Sequence, residues 1–297
     1  MKFWHRIKKD YLGILFVLPV IAGLACFTFV PMGKSLINSF QTTDFYTRET
    51  AFSLENYAKI FDGGNTIFRN SLLQTLLFTV IDIPLRMVLS FSLALFLFKE
   101  IKGVKLVRVL CYVPVIIPTV VSGLLWRTIM ASDTGYLNLL LTEIGFDKLT
   151  FFDSNDTALM TFIFVGMFGI GSSMILWISQ LKNIPTTVYE AAEIEGANRF
   201  QALFKITVPL CGPTIFYVLI TNIIGTLQVF DLAYMFKNPL NDKAINFLVV
   251  YIYQQAFGFM DMGYACALSW ILFAIIAVLS GIVFVCKKWV IYGEDYV

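Results

Sequence analysis

Six long runs of apolar residues, separated by short polar segments, dominate the chain. A helix needs roughly 20 apolar residues to cross the hydrocarbon core of a bilayer. Lipid offers the backbone no hydrogen-bond partners, so continuous runs of this length must be helical. The strands of a membrane barrel would instead alternate over about 10 residues. The predicted spans are Tyr11–Gly33, Asn70–Phe98, Val104–Met130, Thr157–Leu181, Thr214–Phe236 and Tyr264–Cys286.

Composition supports this pattern. Of the 297 residues, 58% are hydrophobic and only 14% are charged, whereas soluble domains carry about 25% charged residues. Too few polar groups are present to cover a globular surface. We therefore expect an all-α integral membrane protein with one domain over residues 1–297, whose solvent is the lipid bilayer. The net charge of +2 says nothing about nucleic acid, and we expect no nucleic-acid partner.

The distribution of Lys and Arg predicts the orientation, since cytoplasmic loops are enriched in both residues. With the N-terminus inside, 13 of the 22 basic residues fall in inside segments. Each short inside loop is basic. We therefore expect a multi-pass protein with both termini in the cytoplasm.

Metal and catalytic chemistry have little support in this sequence. His5 is the only histidine, and the five cysteines lack the paired spacing of a zinc site. We expect no metal site and no catalytic residues. A secondary transporter would carry an inverted repeat with coupling-ion ligands at mid-membrane, and neither feature is recognisable in this sequence.

The inside loop 185–213 contains the most specific pattern. Pro185 ends the fourth span, and Thr187 followed by Glu190 predicts a capping box. Gly196 predicts a stop and a sharp turn, because left-handed backbone geometry is cheap only for glycine. A second helix is expected from Asn198 to about Thr207, with three apolar side chains on one side, namely Phe200, Leu203 and Phe204.

The loop contains Glu190-Ala191-Ala192, followed at a fixed spacing by Gly196, Ile206 and Pro209. With this pattern it resembles the EAA loop of permeases in binding-protein-dependent ABC importers. Three conservative departures are Val208 in place of Leu, Glu195 in place of Asp and Leu203 in place of Phe. The resemblance implies that the loop couples the permease to an ATPase subunit. The coupling residues it implies are Glu190, Ala191, Ala192, Glu195, Gly196, Ile206 and Pro209.

The remaining chain is similar to the carbohydrate (MalF/UgpA-like) branch of these permeases. Segments that carry the likeness include Leu54-Glu55-Asn56-Tyr57 and Gly135-Tyr136-Leu137-Asn138. The Gly-Gly-Pro common before the sixth span is replaced by Asn238-Pro239-Leu240-Asn241. The implied substrate is a sugar or oligosaccharide. Glycerol phosphate or another polyol-like solute is the alternative.

The resemblance also implies the six-helix type I ABC importer (MetI-like) fold, a location in the bacterial or archaeal inner membrane, and a set of partners. These are a second permease subunit in a heterodimer, two ABC ATPase subunits and an extracytoplasmic solute-binding protein. The chain lacks a phosphate-binding Gly-rich loop. ATP and Mg²⁺ would therefore be bound by the ATPase subunits, and no cofactor by this chain.

Polar residues inside the spans are candidates for function. Asp82 and Arg86 are four residues apart on one helix, a spacing that favours an ion pair, and either pairing or a role in transport would explain them. Pro114 and Pro118 would bend the third span. The candidates for the substrate path lie in spans four and five, where helix packing is the other explanation: Gly169, Ser172, Ser173, Asn222, Thr226 and Asp231.

Overall fold

The computed structural model describes residues 11–43 and 50–286. The predicted cytoplasmic termini lie outside these residues. Contacts divide the chain into two compact units, one of residues 1–65 and 252–271 and the other of residues 66–251 and 272–297. Two helices run across the division, Leu248–Tyr253 (α15) and Met262–Val285 (α16).

The first unit begins with a long helical segment and a small hairpin. Helix α1, Tyr11–Leu24, continues through a π-helical turn, Ala25–Phe29, into α2, Val30–Ser39. Strands β1, Gln41–Thr43, and β2, Thr50–Phe52, pair antiparallel with Thr42 opposite Ala51. Helix α3, Glu55–Phe61, follows.

A buried asparagine organises this unit. The Asn56 side-chain amide donates to the carbonyls of Ser39, at 3.1 Å, and Gln41, at 2.9 Å. A Cβ on Gly263 would collide with the same Gln41 carbonyl. The start of α16 thus lies against β1. The Ser53 hydroxyl accepts a hydrogen bond from the Glu55 amide at 3.0 Å, although the N-cap residue of α3 is Leu54.

The second unit contains the remaining helices. In chain order they are α4 (Thr66–Leu97), α5 (Val104–Ile116), α6 (Thr119–Ile129), α7 (Tyr136–Glu143), α8 (Asn155–Met167), α9 (Gly171–Asn183), α10 (Thr186–Ile194), α11 (Arg199–Ala202), α12 (Val208–Leu210), α13 (Gly212–Leu227) and α14 (Asp231–Phe236). A π-helical turn, Leu203–Thr207, joins α11 to α12, and another, Gln254–Gly258, follows α15.

Four helical segments of the described residues are each long and apolar enough to cross a membrane: Leu15–Ser39, Thr66–Leu97, Gly212–Phe236 and Met262–Val285. Two further candidates are bent pairs, α5 with α6 at 98° and α8 with α9 at 47°. If each pair is one span, the number rises to six. These six correspond in order to the six predicted runs.

The third span is bent at one of its two prolines. Pro114 stays inside α5, whereas the helix ends before Pro118. Ile117 has φ −69° and ψ 128°, because a residue before proline is forced out of the helical region. Pro118 therefore makes the bend that the sequence assigns to both prolines.

Two apolar clusters hold the second unit together, near opposite ends of α4. One contains Phe78 with Phe152, Phe162, Phe236 and Phe247. Phe152 and Phe236 stack with ring centroids 4.0 Å apart. The other cluster gathers around the fully buried Trp177, and contains Ala94, Leu97, Val104, Met174, Ile178, Leu181, Ile184, Cys211 and Val218.

Candidate functional site

Residues 185–213, called the elbow below, form two short helical arms joined by a sharp turn. Helix α10 ends at Ile194, and Gly196 follows with φ +79°. The Ala197 amide donates to the Ala192 carbonyl at 2.9 Å, and the Gly196 amide to the Glu193 carbonyl at 3.0 Å. This pair of bonds is a Schellman motif, which satisfies carbonyls left open at a helix end. The predicted turn at Gly196 is confirmed.

The predicted capping box on the first arm is wrong. Helix α10 begins at Thr186 with Pro185 as its N-cap residue, and no side chain caps it. Proline holds its own φ near the helical value, so the helix starts two residues earlier than predicted and Thr187 lies inside it. Glu190 is exposed, without an ion-pair or hydrogen-bond partner in the part of the chain that the structure describes. Glu190 is therefore free for contact with another subunit.

A capping box occurs on the second arm instead. Asn198 Oδ1 accepts from the Gln201 amide, and Gln201 Oε1 accepts from the Asn198 amide, both at 2.8 Å. After α11 the chain widens into the π-helical turn Leu203–Thr207. Leu203 is half-buried, whereas Phe200 and Phe204 are 75% and 65% exposed. The three predicted apolar residues thus differ in exposure.

The two arms are tied to each other. The hydroxyls of Tyr189 and Thr207 are 2.9 Å apart, and Thr207 also donates to the Ala202 carbonyl at 3.2 Å. Ala192 is buried, while its neighbour Ala191 is exposed. Side-chain bonds as well as the turn at Gly196 therefore fix the angle of the elbow.

The elbow is attached to both of its flanking helices. Gln180 of α9 donates from Nε2 to the Leu210 carbonyl at 2.9 Å, and its Oε1 accepts from the Thr214 hydroxyl at 3.2 Å. Cys211 lies in the cluster around Trp177 and is completely buried. Burial raises the pKa of the Cys211 thiol to about 11, so this thiol is neutral at pH 7.

Two further contacts connect this end of α9 to neighbouring elements. Trp177 donates its indole N–H to Ser90 Oγ of α4 at 3.0 Å. Lys182 Nζ lies 2.7 Å from Glu100 Oε1, in the loop between α4 and α5. The hydrogen bond and the charge of Lys182 lower the pKa of Glu100. The elbow therefore rests on a base built from α4, α9 and α13.

The seven predicted coupling residues are all in the elbow, with unequal exposure. Glu190, Ala191, Glu195 and Gly196 are exposed on the first arm and its turn, and Ala192 beside them is buried. Ile206 and Pro209 are half-buried on the second arm. The exposed members belong to one short segment, 190–196.

Asp82 and Arg86 form the ion pair that their spacing predicts. Arg86 Nε lies 2.9 Å from Asp82 Oδ2, and Nη2 lies 3.2 Å from Oδ1. The Asp82 side chain has 0% exposure and that of Arg86 has 19%. Two parallel bonds to a carboxylate are the strong geometry for arginine. The prediction that the two residues pair is confirmed.

This ion pair lies against the break in the fourth span. A Cβ on Gly166 would be 3.2 Å from Arg86 Nη2 and 3.7 Å from Asp82 Oδ1, and a Cβ on Gly169 would be 3.9 Å from Nη1. Helix α8 ends at Met167 and α9 starts at Gly171. The glycines of span four thus leave the space that the guanidinium occupies.

The predicted path residues lie in three places. Gly169, Ser172 and Ser173 lie at or just after the break in the fourth span, and Ser172 is exposed. Asn222 lies in α13, and its buried amide nitrogen has no hydrogen-bond partner among the residues that the structure describes. Asp231 is exposed at the start of α14.

Thr226 differs from these residues. It is buried, and its hydroxyl donates to the carbonyl of Asn222 at 2.8 Å. A hydroxyl bonded to its own helix is not available to a solute. In this conformation Thr226 therefore belongs to helix packing, the alternative explanation for these residues.

An asparagine network that the sequence pattern did not predict lies near the end of α4 that is distant from the elbow. Asn241 donates to the carbonyls of Phe152, at 2.6 Å, and Phe236, at 2.9 Å. Its Oδ1 accepts from the Asn238 amide at 2.8 Å. These residues belong to the segment that replaces Gly-Gly-Pro. The sequence feature that could have indicated this network is Asn-Pro-Leu-Asn itself, because its composition is typical of a turn.

The described residues combine long apolar helices, two bent pairs of helices and a rigid elbow between two spans. This architecture is that of a membrane-embedded transport subunit. The model of the family "binding-protein-dependent transport system inner membrane component" matches residues 67–291, and the chain belongs to this family. The predicted resemblance to ABC importer permeases is confirmed. The chain is a multi-pass inner-membrane permease subunit, and not an enzyme.

Known proteins similar to this chain cover nearly all of it. The probable ABC transporter permease protein YesP of Bacillus subtilis is 36% identical, over 99% of this chain and 96% of YesP. The sulfoquinovosyl glycerol transport system permease SmoG of Agrobacterium fabrum is 28% identical, over 92% of this chain and 87% of SmoG.

The structure of a bacterial ABC transporter that imports the acidic polysaccharide alginate matches with a TM-score of 0.85 at 21% identity. The match covers 98% of this chain and 100% of that chain. At this identity the likeness concerns the fold, and the predicted permease fold is confirmed. Membership in this family implies ATPase subunits and a solute-binding protein as partners.

Proposed function

We propose that this permease moves a sugar or oligosaccharide across the membrane, and that its elbow receives the motion of an ATPase subunit. The single observation that carries the coupling role is the geometry of residues 190–196. Glu190 and Ala191 are exposed beside a Schellman turn that is held from both sides. Because the arms are tied together, force on one arm reaches both flanking spans.

The exposed apolar side chains of the elbow support a protein partner. Ile194, Phe200 and Phe204 are 87%, 75% and 65% exposed. Leaving three large apolar side chains in water is unfavourable, by about 25 cal/mol for each Å² of apolar surface. A groove on an ATPase subunit would bury them, while the ATPase subunits bind ATP and Mg²⁺.

The proposed orientation puts the elbow in the cytoplasm together with both termini. The basic residues around it support this side, since Lys182, Arg199 and Lys205 belong to this face. The solute-binding protein would then dock at the opposite end, near the Asn238–Asn241 segment.

A sugar as the substrate is supported by SmoG, whose name specifies a sugar conjugate. Within this chain, the unpartnered amide of Asn222 and the exposed Ser172 are groups that could match sugar hydroxyls. Gly169, Ser173 and Asp231 complete the proposed path. A second, different permease subunit would supply the other wall of the path.

The test is assembly and transport with the cognate ATPase and binding protein in proteoliposomes. Glu190→Lys should abolish co-purification of the ATPase and ATP-dependent uptake, while membrane insertion stays normal. Glu143→Lys, the same charge change at the end of α7, is the matched control and should retain the ATPase. ATPase binding by Glu190→Lys at the wild-type level would contradict the coupling role. Sugar uptake without any ATPase subunit would contradict the whole proposal.

A further inference from the structure

A polar pocket lies at the start of α4, the end of this helix that is far from the elbow. Its volume is about 390 Å³. The first turns of α4 form one wall, and the segment before α15 forms the other. The lining residues are Thr66, Ile67, Arg69, Asn70, Leu73, Asp242, Lys243 and Asn246.

The backbone of this pocket is fixed before any ligand arrives. Asn70 Nδ2 donates to the Lys243 carbonyl at 3.0 Å. The Lys243 amide donates to Asn155 Oδ1 at 2.9 Å. Lys243 is thus held from both sides, by α4 and by α8. A little further on, the Leu248 amide donates to the Thr75 hydroxyl at 2.8 Å. A preformed pocket loses less entropy on binding.

The charges of the pocket favour an anion. Within residues 11–43 and 50–286, neither Arg69 nor Lys243 has an ion-pair partner. The one acidic group of the lining, Asp242, is already paired with Lys237 at 2.8 Å. The N-terminus of the 32-residue helix α4 adds positive potential at the same place.

A buried side-chain amide also lines the pocket. Asn246 is 3% exposed, and its Oδ1 accepts from Lys237 Nζ at 2.9 Å. Its amide nitrogen has no hydrogen-bond partner among the described residues. An anionic oxygen in the pocket would accept a hydrogen bond from this amide.

An apolar stripe on α4 continues from the pocket along the helix. Leu73 lines the pocket, and Leu77, Val80 and Val88 follow on the same side. These four residues are 57%, 46%, 69% and 62% exposed. Positions spaced by three or four residues share one face of a helix. A cationic pocket at the head of an apolar stripe matches a phosphate group attached to acyl chains.

We propose that this pocket binds the phosphate of an anionic phospholipid, with Arg69 and Lys243 as its charged ligands and Asn246 as a donor. The acyl chains would lie along Leu73, Leu77 and Val80. Charge-assisted hydrogen bonds to phosphate are about twice as strong as neutral ones. The pocket would then recognise a lipid at the membrane interface, separate from the path of the solute.

Native mass spectrometry of the purified chain in nanodiscs tests this inference, with phosphatidylglycerol or phosphatidylcholine as the probe lipid. The wild type should retain phosphatidylglycerol in preference to phosphatidylcholine. The double variant Arg69→Gln/Lys243→Gln should lose at least about tenfold in retention, since two charge-assisted bonds are removed. The control Lys59→Gln/Lys148→Gln removes the same charge outside the pocket and should bind as the wild type does. Thermal unfolding in phosphatidylcholine checks that both variants are folded.

Three outcomes would overturn the inference. Equal retention of phosphatidylglycerol by both double variants would mean that the pocket is not the lipid site. Displacement of the lipid by millimolar inorganic phosphate would mean a site for soluble anions. Unchanged lipid retention together with lost docking of the solute-binding protein would assign the two cations to an acidic protein surface.

Discussion

The conformation of Gly196 allows a quantitative test of the elbow. Its φ of +79° lies in the left-handed region, where an L-residue with a Cβ is strained by about 1–2 kcal/mol. A Cβ built at this position meets no atom within 4 Å. The added methyl group therefore makes neither a collision nor a new packing contact, and the backbone strain is the only energy change. Gly196→Ala should therefore destabilise the folded turn by about 1–2 kcal/mol, a factor of roughly 5–30 in its population.

Hydrogen exchange at the elbow measures this effect directly. The Gly196 and Ala197 amides close the Schellman motif, so both should exchange faster in Gly196→Ala. ATP hydrolysis coupled to uptake should fall in parallel if the rigid turn transmits force. Gly196→Asn should lie between wild type and Ala, because asparagine tolerates the left-handed region better than other residues with a Cβ.

Gly225→Ala is the matched control. Gly225 also has no atom within 4 Å of its built Cβ, but it lies inside helix α13, where alanine is favoured over glycine by about 0.5–1 kcal/mol. This variant should be neutral or stabilising. Wild-type exchange at the elbow of Gly196→Ala would refute the reasoning, as would equal effects of Ala and Asn.

Three other perturbations have defined outcomes in thermal unfolding of the purified protein. Asp82→Asn or Arg86→Gln alone leaves a buried charge unpaired and should lower the free energy of unfolding by about 3–5 kcal/mol. The double variant should recover part of this loss. If the two single losses simply add in the double variant, the pairing is contradicted. Gly171→Ala should cost about 1–3 kcal/mol, since its Cβ would lie 2.5 Å from a backbone carbonyl of the third span; an unchanged melting temperature would exclude that close approach. The pKa of Glu100 is lowered, so its ion pair with Lys182 stabilises the fold at pH values above the ordinary glutamate pKa. This stabilisation is lost as the pH falls through the lowered pKa. The small stability difference between wild type and Lys182→Met should therefore disappear in acid, and a difference that grows in acid would contradict the pair.

The elbow could be predicted because its geometry is set by local residues. Gly196 requires no distant contact to turn the chain, and Pro185 ends the preceding span by itself. The capping box failed for a local reason too, since Pro185 and Thr187 are alternative helix starts two residues apart. The ion pair followed from the spacing of Asp82 and Arg86 alone. Predictions of this kind depend on neighbours in sequence, which are known in advance.

The bend in the fourth span depends on residues that are distant in sequence. Thr157–Leu181 reads as one apolar run without proline, so its pattern predicts one helix. In the structure, the small residues of that run make space for other spans. Gly166 faces the guanidinium of Arg86 on α4, and Gly171 faces the Cys111 carbonyl on α5.

A close contact from α5 thus requires glycine at position 171, and the guanidinium of Arg86 on α4 leaves little room for a larger residue at position 166, five residues earlier. Glycine weakens a helix by about 1 kcal/mol at each position relative to alanine. The helix is therefore weakest between Gly166 and Gly171, where the fourth span bends by 47°. For the elbow, the local sequence determines the contacts. For this bend, cause and effect are reversed. The contacts with Arg86 and Cys111 determine which residues the fourth span can have. Those residues in turn determine where its helix is interrupted.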